Sequence, residues 1–315
     1  MNATVGTATM PLRVGTRRSA LARAQAHGVA SQLLALGTNP ELIEVTTDGD
    51  RSAAAVAEMG GTGVFVTALR DQLLAREVDV AVHSLKDLPT APATGLVVAA
   101  VPPREDARDV IVSRDNQALD ELPAGARIGT GSPRRTAQLR ALRPDLDVVA
   151  VRGNVDTRLG LVDRGEIDAV VVAYAGLARL GRLDAVTEVL DVDRMLPAPG
   201  QGALAVECRA DDSAVVEVLS HLDHAATRAA VTAERAVLFT LRAGCTAPVG
   251  AYAVANDGSA RSPDLTLDAV VAGSSGAVIR MSATGPSDAA EQLGRDLATE
   301  LLAAGAADLL AGERM

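Results

Sequence analysis

Aromatic residues are almost absent: two Tyr, two Phe and no Trp make up 1% of a 315-residue chain whose hydrophobic share is 48%. A core without rings has to be built from Ala, Val and Leu, which suit a buried parallel sheet flanked by helices and point to α/β architecture. Lysine is scarcer still, since Lys86 is the only one and every other basic residue is an arginine. At a formal net charge of -10 the chain offers no general basic face for neutralising phosphates, which argues against nucleic-acid binding. Cysteine is limited to Cys208 and Cys245, with no C-x-x-C and no Cys/His ligand spacing. That excludes a disulfide framework and a zinc site, no metal is expected, and reduced thiols fit the cytoplasm. There is no run of about 18 uncharged apolar residues, and the start, MNATVGTATMPLRVG, has neither a basic n-region nor a long apolar h-region. Neither a membrane span nor export is expected, and the first ten residues read as an extension.

What is present is a long alternation of short apolar runs and helix-period segments. A length of 315 residues exceeds what one core usually serves, so two or three domains are expected. Strands at 12–16, 42–46 and 78–82 interleave with helices at 19–36 and 65–76, as in βαβ units, and Pro102-Pro103 closes the set. A second set has strands near 110–113, 127–129, 148–151 and 169–173, with helices over 132–143 and after Asn154. It stops at Leu196-Pro197-Ala198-Pro199-Gly200, which reads as a hinge. Residues 203–209 read as a strand returning to the first sheet. A helix at 224–241, strands at 249–254, 265–271 and 278–283 and a helix at 287–303 then form a small α+β domain. The expected division is 1–102 with 200–222, then 103–199, then 223–315. The glycine-bearing stretch 48–62 reads equally as a lid or as a solvent loop.

Chemistry gathers at arginine-bearing strand ends. In Gly129-Thr130-Gly131-Ser132-Pro133-Arg134-Arg135 a strand end and glycine turn lead to a Ser N-cap and a Pro at the first helical position. N–H groups, the positive end of the helix dipole and two guanidiniums converge there on one anion, against the plainer reading of a capped helix with solvated arginines. Arg152-Gly153-Asn154-Val155-Asp156-Thr157-Arg158 repeats the logic at the next strand end. Two such ends at the carboxyl edge of one sheet point to a ligand with several carboxylates, and no G-x-x-x-x-G-K-[ST] favours phosphate instead. Arg17 and Ser19 hold the equivalent turn of the first domain. In Val82-His83-Ser84-Leu85-Lys86-Asp87-Leu88-Pro89, an extended backbone would point Ser84 and Lys86 the same way, with Asp87 beside them facing a cationic or N–H group. A surface Lys–Asp pair fits that spacing as well, and His83 reads as structural. Cys245, on a Gly-flanked loop, carries an exposable thiol, whereas Cys208 lies in an apolar strand and is expected to be buried. Spacing alone does not single out Cys245.

Ten segments in order along nearly the whole chain resemble those of the hydroxymethylbilane synthase family, also called porphobilinogen deaminase. They are GTRRSALARAQA (15–26), TDGDR (47–51), GGTGVFV (60–66), VHSLKDLP (82–89), EDARD (105–109), GTGSPRR (129–135), RGNVDTRL (152–159), AGLARLG (175–181), LPAPGQGALAVE (196–207) and AGCTAPVG (243–250). The resemblance implies two periplasmic-binding-protein-like (type II) α/β domains around a cleft, plus a small C-terminal α+β domain. It also implies a dipyrromethane cofactor held by a thioether to Cys245, on which four porphobilinogens join head to tail with loss of ammonia. Hydrolysis then releases the tetrapyrrole.

By the same resemblance Asp87, with Lys86 and Arg17, forms the catalytic set, Asp87 facing the azafulvenium-like cation that loss of ammonia produces. Arg17, Arg134, Arg135, Arg152, Arg158 and Arg179 match binders of substrate and cofactor carboxylates. Ser19, Ser84, Lys86, Thr130, Ser132, Gly200 and Gln201 match their hydrogen-bonding partners, and Phe65 matches a phenylalanine stacked near the pyrrole. The implied partners are porphobilinogen and the growing polypyrrole, with a cytoplasmic monomer as the expected form. The chain departs from the family where Asp48, Glu58 and Thr62 replace basic residues, and Arg18 stands where an uncharged residue is usual. The competing reading is a two-domain anion-binding effector or solute-receptor module on the same scaffold, since fold does not fix function.

Overall fold

A computed structural model describes residues 11–45, 63–244, 247–256, 264–273 and 276–311. The 48–62 stretch and Cys245 lie outside the described residues, as does the Phe65 side chain. In chain order the first elements are β1 (Leu12–Thr16), α1 (Ala20–Ala35), β2 (Pro40–Glu44), α2 (Gly63–Leu74), β3 (Val80–Ser84), β4 (Leu96–Ala100), β5 (Asp109–Ser113), β6 (Arg127–Thr130), α3 (Pro133–Leu142), β7 (Asp147–Ala150) and α4 (Val155–Asp163). Then come β8 (Ala169–Ala173), α5 (Tyr174–Arg179), β9 (Glu188–Val189), β10 (Leu204–Arg209), α6 (Ser213–Ser220), α7 (Ala225–Thr240), β11 (Val249–Ala255), β12 (Asp264–Ala272), β13 (Val278–Pro286), α8 (Ala290–Ala303) and α9 (Ala306–Ala311). The architecture is mixed α/β with a smaller C-terminal layer of sheet and helices. Among the described residues no helix is long and apolar enough to cross a membrane.

The chain forms two compact units. The first comprises Met1–His83, Pro92–Pro102 and Leu204–Asp223. Its sheet runs β2-β1-β3-β10-β4, with β1 parallel to β2 and β3 and β10 antiparallel to β4. Ser19 starts α1 by accepting a hydrogen bond from the Ala22 N–H at 3.2 Å, and the helix lays Ala26, Val29 and Leu33 onto Val14, Val80 and Val206 of the sheet. The strand at 204–209 thus does enter the first sheet. Within it Glu207 is a buried acid, gripped by Arg70 through Nε at 3.0 Å and Nη2 at 2.8 Å, with His83 Nε2 3.3 Å away.

The second unit comprises Ser84–Ala91, Pro103–Ala203 and His224–Met315. Its larger sheet runs β7-β6-β8-β5-β9. The expected parallel sheet is corrected here: β6 is parallel to β7 and β8, but β5 runs antiparallel to both β8 and β9. A buried apolar strand carries no mark of its direction, because both faces are covered either way. Reversal has a consequence, since it sets Asp109, the first residue of β5, opposite Ala173 at the carboxyl edge of its neighbours. The smaller sheet, β11-β12-β13, is antiparallel and packs Leu265 and Leu267 against Val237 of α7 and Leu297 and Leu301 of α8.

The Pro-rich segment read as a hinge makes a set of hydrogen bonds within the second unit. Leu196 gives its N–H to Gln138 Oε1 at 2.8 Å, and its carbonyl accepts from Gln138 Nε2 at 3.1 Å and Arg134 Nη1 at 2.6 Å. The Pro197 carbonyl accepts from the Ala251 N–H of β11 at 3.0 Å. A Cβ on Gly250 would stand 2.8 Å from the Leu196 oxygen, so only glycine lets β11 approach that closely. Two prolines remove two donors from the segment, and the surrounding side chains and strand satisfy the Leu196 and Pro197 carbonyls.

Candidate active site

Around Asp109 the second unit gathers most of the residues singled out by motif. The helix start is built as the sequence predicts: Ser132 is the N-cap of α3, Pro133 follows, and the Thr130 hydroxyl accepts from the Ser132 N–H at 3.2 Å. Gly131 is required there, because a Cβ would lie 2.6 Å from the Val151 oxygen of the neighbouring strand end.

The two arginines that follow turn inward rather than to solvent. Arg135 gives Nε at 3.1 Å and Nη2 at 2.7 Å to Asp109 Oδ1, and Nη1 at 3.0 Å to the Val171 carbonyl. Arg134 Nη2 lies 2.8 Å from Asp109 Oδ2, an ion pair by distance although the oxygen is not aligned as a hydrogen-bond acceptor. Asp109 is fully buried, at 0% exposure. Burial alone would raise its pKa, but the charges of Arg134 and Arg135, with the hydrogen bonds from Arg135 and Gln201, hold it far below the carboxylate range. Sequence reasoning missed Asp109. The signal was an acid heading an otherwise apolar strand, which has to meet a cation if it is buried.

Gln201 joins this array to Lys86. Its Nε2 donates to the Ala107 carbonyl at 2.7 Å and to Asp109 Oδ1 at 2.8 Å, and its Oε1 accepts from Lys86 Nζ at 3.2 Å. Lys86 and Asp87 lie in a 3-10 turn, Leu85–Asp87, rather than in the extended segment expected from spacing. The turn is pinned by the Leu85 N–H on the Ala203 carbonyl, and buried Leu85 packs over Gly200, whose φ of +77° suits glycine. Burial lowers the Lys86 pKa to about 8; Asp87 and Asp109 work against that, while Arg135 and Arg134 add to it.

Three more predicted arginines sit in the same unit. Arg158, on α4, is half-buried, and its Nε is buried without a hydrogen-bond partner. Burial, and then the charge of Arg135, lower its pKa. Arg179, on α5, donates Nη2 to the Gly202 carbonyl at 2.6 Å, and burial lowers its pKa against the pull of Glu105. Arg152 is exposed at the end of β7. None of these three makes an ion pair among the described residues. Ser84 closes β3, and Gly200 gives its N–H to Glu234 at 2.7 Å. Arg17 and Ser19 lie in the first unit, at the β1–α1 turn.

The donor set therefore has a clear sign. Among the described residues Lys86 meets the acids Asp87 and Asp109, Arg134 and Arg135 share Asp109, Arg158 meets none, and the Nε atoms of Arg134 and Arg158 stay buried without partners. Buried polar groups are almost always satisfied, so unmet donors amid surplus positive charge fit a ligand bearing several carboxylates, as a dipyrromethane does. On either side of Cys245, the Ala247 N–H donates to the Gly244 carbonyl at 2.9 Å, and the Gly244 residue is exposed.

Comparison with known proteins covers nearly the whole chain. Residues 12–217 match the family model described as porphobilinogen deaminase, dipyromethane cofactor binding domain, and residues 228–303 match porphobilinogen deaminase, C-terminal domain. The chain is 55% identical to porphobilinogen deaminase 1 of Streptomyces coelicolor, over 96% of this chain and 98% of that one. It is 54% identical to porphobilinogen deaminase of Mycobacterium tuberculosis, over 96% and 99%. Among solved structures, an ancestral cationic amino acid solute binding protein overlaps 67% of this chain and 87% of its own at 16% identity, with a TM-score of 0.41. By the two family models and by these relatives, the chain belongs to the porphobilinogen deaminase family.

Proposed function

We propose that the chain joins four porphobilinogens head to tail on a dipyrromethane tethered to Cys245 and releases the linear hydroxymethylbilane by hydrolysis. At each joining the bond between the aminomethyl carbon and nitrogen breaks, ammonia leaves, a carbon–carbon bond forms and the acceptor pyrrole carbon gives up a proton. The bound dipyrromethane supplies the first acceptor carbon. The observation that carries the reading is the surplus of buried cations around Asp109, with the Arg134 and Arg158 Nε atoms lacking partners.

Each residue then has a task. Arg17, Arg134, Arg135, Arg152, Arg158 and Arg179 bind acetate and propionate groups, with Arg134 and Arg135 held side by side by Asp109. Thr130, Ser132, Ser19, Ser84 and the Gly200 backbone order the turns that present them. Asp87 lies beside the cation formed as ammonia leaves and takes up the proton released on ring joining, and Lys86 is its neighbouring ammonium. Phe65 stacks against a pyrrole ring. The reading also takes the enzyme to be a cytoplasmic monomer, with the free buried Cys208 thiol as the support for a reducing compartment.

Asp87→Asn tests it. The variant keeps its circular dichroism spectrum and loses most turnover, on the order of 100-fold or more for loss of a general base. Near-normal turnover would remove Asp87 from the mechanism.

A further inference from the structure

Asp109 is sealed from solvent at 0% exposure, so it reaches substrate only through other side chains. Those side chains are the ones placed in the site above. Its Oδ1 accepts from Arg135 Nε and Nη2 and from Gln201 Nε2, and its Oδ2 lies 2.8 Å from Arg134 Nη2. The Gln201 amide has one orientation compatible with these contacts. Its two N–H groups point at two acceptors, the Ala107 carbonyl and the Asp109 carboxylate, which leaves Oε1 for the Lys86 ammonium. Reversing the amide would set an oxygen against a carboxylate and an N–H against an ammonium.

We infer that Asp109 is a positioning residue for the reaction: one buried carboxylate clamps Arg134 and Arg135 directly and, through the Gln201 amide, holds Lys86 in register with them. The inference deepens the proposed function and rests on its placing Lys86 in the active site. A core salt bridge without this role would tie Asp109 to the arginines and stop there. The bond from Gln201 to Lys86 extends the tie to a half-buried amine beside Asp87. The charged groups facing Lys86 are Asp87 and Asp109, which favour its proton, and Arg134 and Arg135, which oppose it.

Because Lys86 is the only lysine, holoenzyme labelled with ε-13C-lysine gives a single lysine signal. Its titration midpoint in the parent is expected at about 8. In Asp109→Asn one negative charge is lost a single side chain away, and the midpoint falls by about 1 pH unit. The alkaline limb of kcat/KM, which reports the free enzyme, falls with it, and Asp109→Glu restores both towards the parent. Gln201→Met keeps the Asp109 charge and cuts the link, so the amine loses its acceptor and the midpoint again falls. This second variant carries the test if Asp109→Asn does not fold. Midpoints within about 0.3 pH unit of the parent in the variants that fold refute the link itself. A midpoint that moves while the kcat/KM limb stays fixed means the link does not serve the reaction, and the inference falls together with the role of Lys86.

Discussion

Glu234→Ala should be among the most damaging substitutions outside the site, and its size follows from the contacts. Glu234 is fully buried on α7 and accepts four hydrogen bonds: Arg104 Nη1 at 2.6 Å, Arg104 Nη2 at 3.1 Å, the Gly200 N–H at 2.7 Å and the Ala253 N–H at 2.9 Å. It thereby joins the Pro-rich segment, β11 and the loop after Pro103 within the second unit. Removing it strands a guanidinium whose side chain is only 11% exposed, with the Gln201 carbonyl and the face of Tyr252 as its remaining partners. Deleting one member of a buried pair costs about 3–5 kcal/mol, and each orphaned amide adds about 1–3 kcal/mol before relaxation. Taking ~5 kcal/mol in all, at about 2–4 °C per kcal/mol for a unit of this size, the melting midpoint should drop by roughly 10–20 °C. Far-ultraviolet circular dichroism is the assay, since the chain has no Trp to report by fluorescence. A double-mutant cycle of Arg104→Met, Glu234→Met and the double Arg104→Met, Glu234→Met variant should show a coupling of about 2 kcal/mol or more, because the double variant leaves no charge stranded. A Glu234→Ala melt within about 2 °C of the parent, or single effects that simply add, would refute this account.

Three further outcomes follow from named contacts. Arg158→Gln removes a half-buried cation that makes no ion pair among the described residues, so it should leave the melting midpoint unchanged or raised while KM rises at least 10-fold; a melting loss with unchanged KM would show Arg158 to be structural. Burial would raise the Glu207 pKa, but His83 3.3 Å away and the hydrogen bonds from Arg70 overcome it and hold the carboxyl below its ordinary value. That stability is present above the unfolded-state pKa and is lost as pH falls through the folded one, so Glu207→Gln should flatten the fall of melting temperature from about pH 5 downward, and an unchanged slope would contradict the pairing. Burial pushes the Cys208 thiol up to about 11, so iodoacetamide at pH 8 should modify it only after denaturant is added, and prompt alkylation of the native protein would show that the strand opens.

Local signals in the sequence carried far, and they ended where a side chain had to choose a partner. The caps at Ser19, Ser132 and Asn154, and the Pro at the first turn of α3, are chemical marks confined to four or five residues, and each appears where those marks place it. The return of β10 to the first sheet was legible because two Pro-rich connectors precede it. Strand β4 and helix α6 were not anticipated: β4 is a short apolar run between turns, and α6, capped by Asp212, is too short to repeat its period more than twice. The direction of β5 left no trace at all, and with it went Asp109. The features that mark an anion site for a ligand also suit an internal carboxylate, so Arg134 and Arg135 were read as converging on a ligand anion when their partner stands at the head of β5, across β8 from the strand that leads into α3. The contacts that fasten the Pro-rich segment left no mark either, because prolines stiffen a segment whether or not neighbouring side chains tie it down.

The attachment of the cofactor to Cys245 is the claim on which the account turns, and the intact mass of the purified protein tests it most directly. The parent should exceed its sequence mass by two porphobilinogens less two ammonias, and Cys245→Ala should return to the bare sequence mass and lose activity. A parent of unmodified mass with full activity, or an adduct that survives in Cys245→Ala, would contradict it.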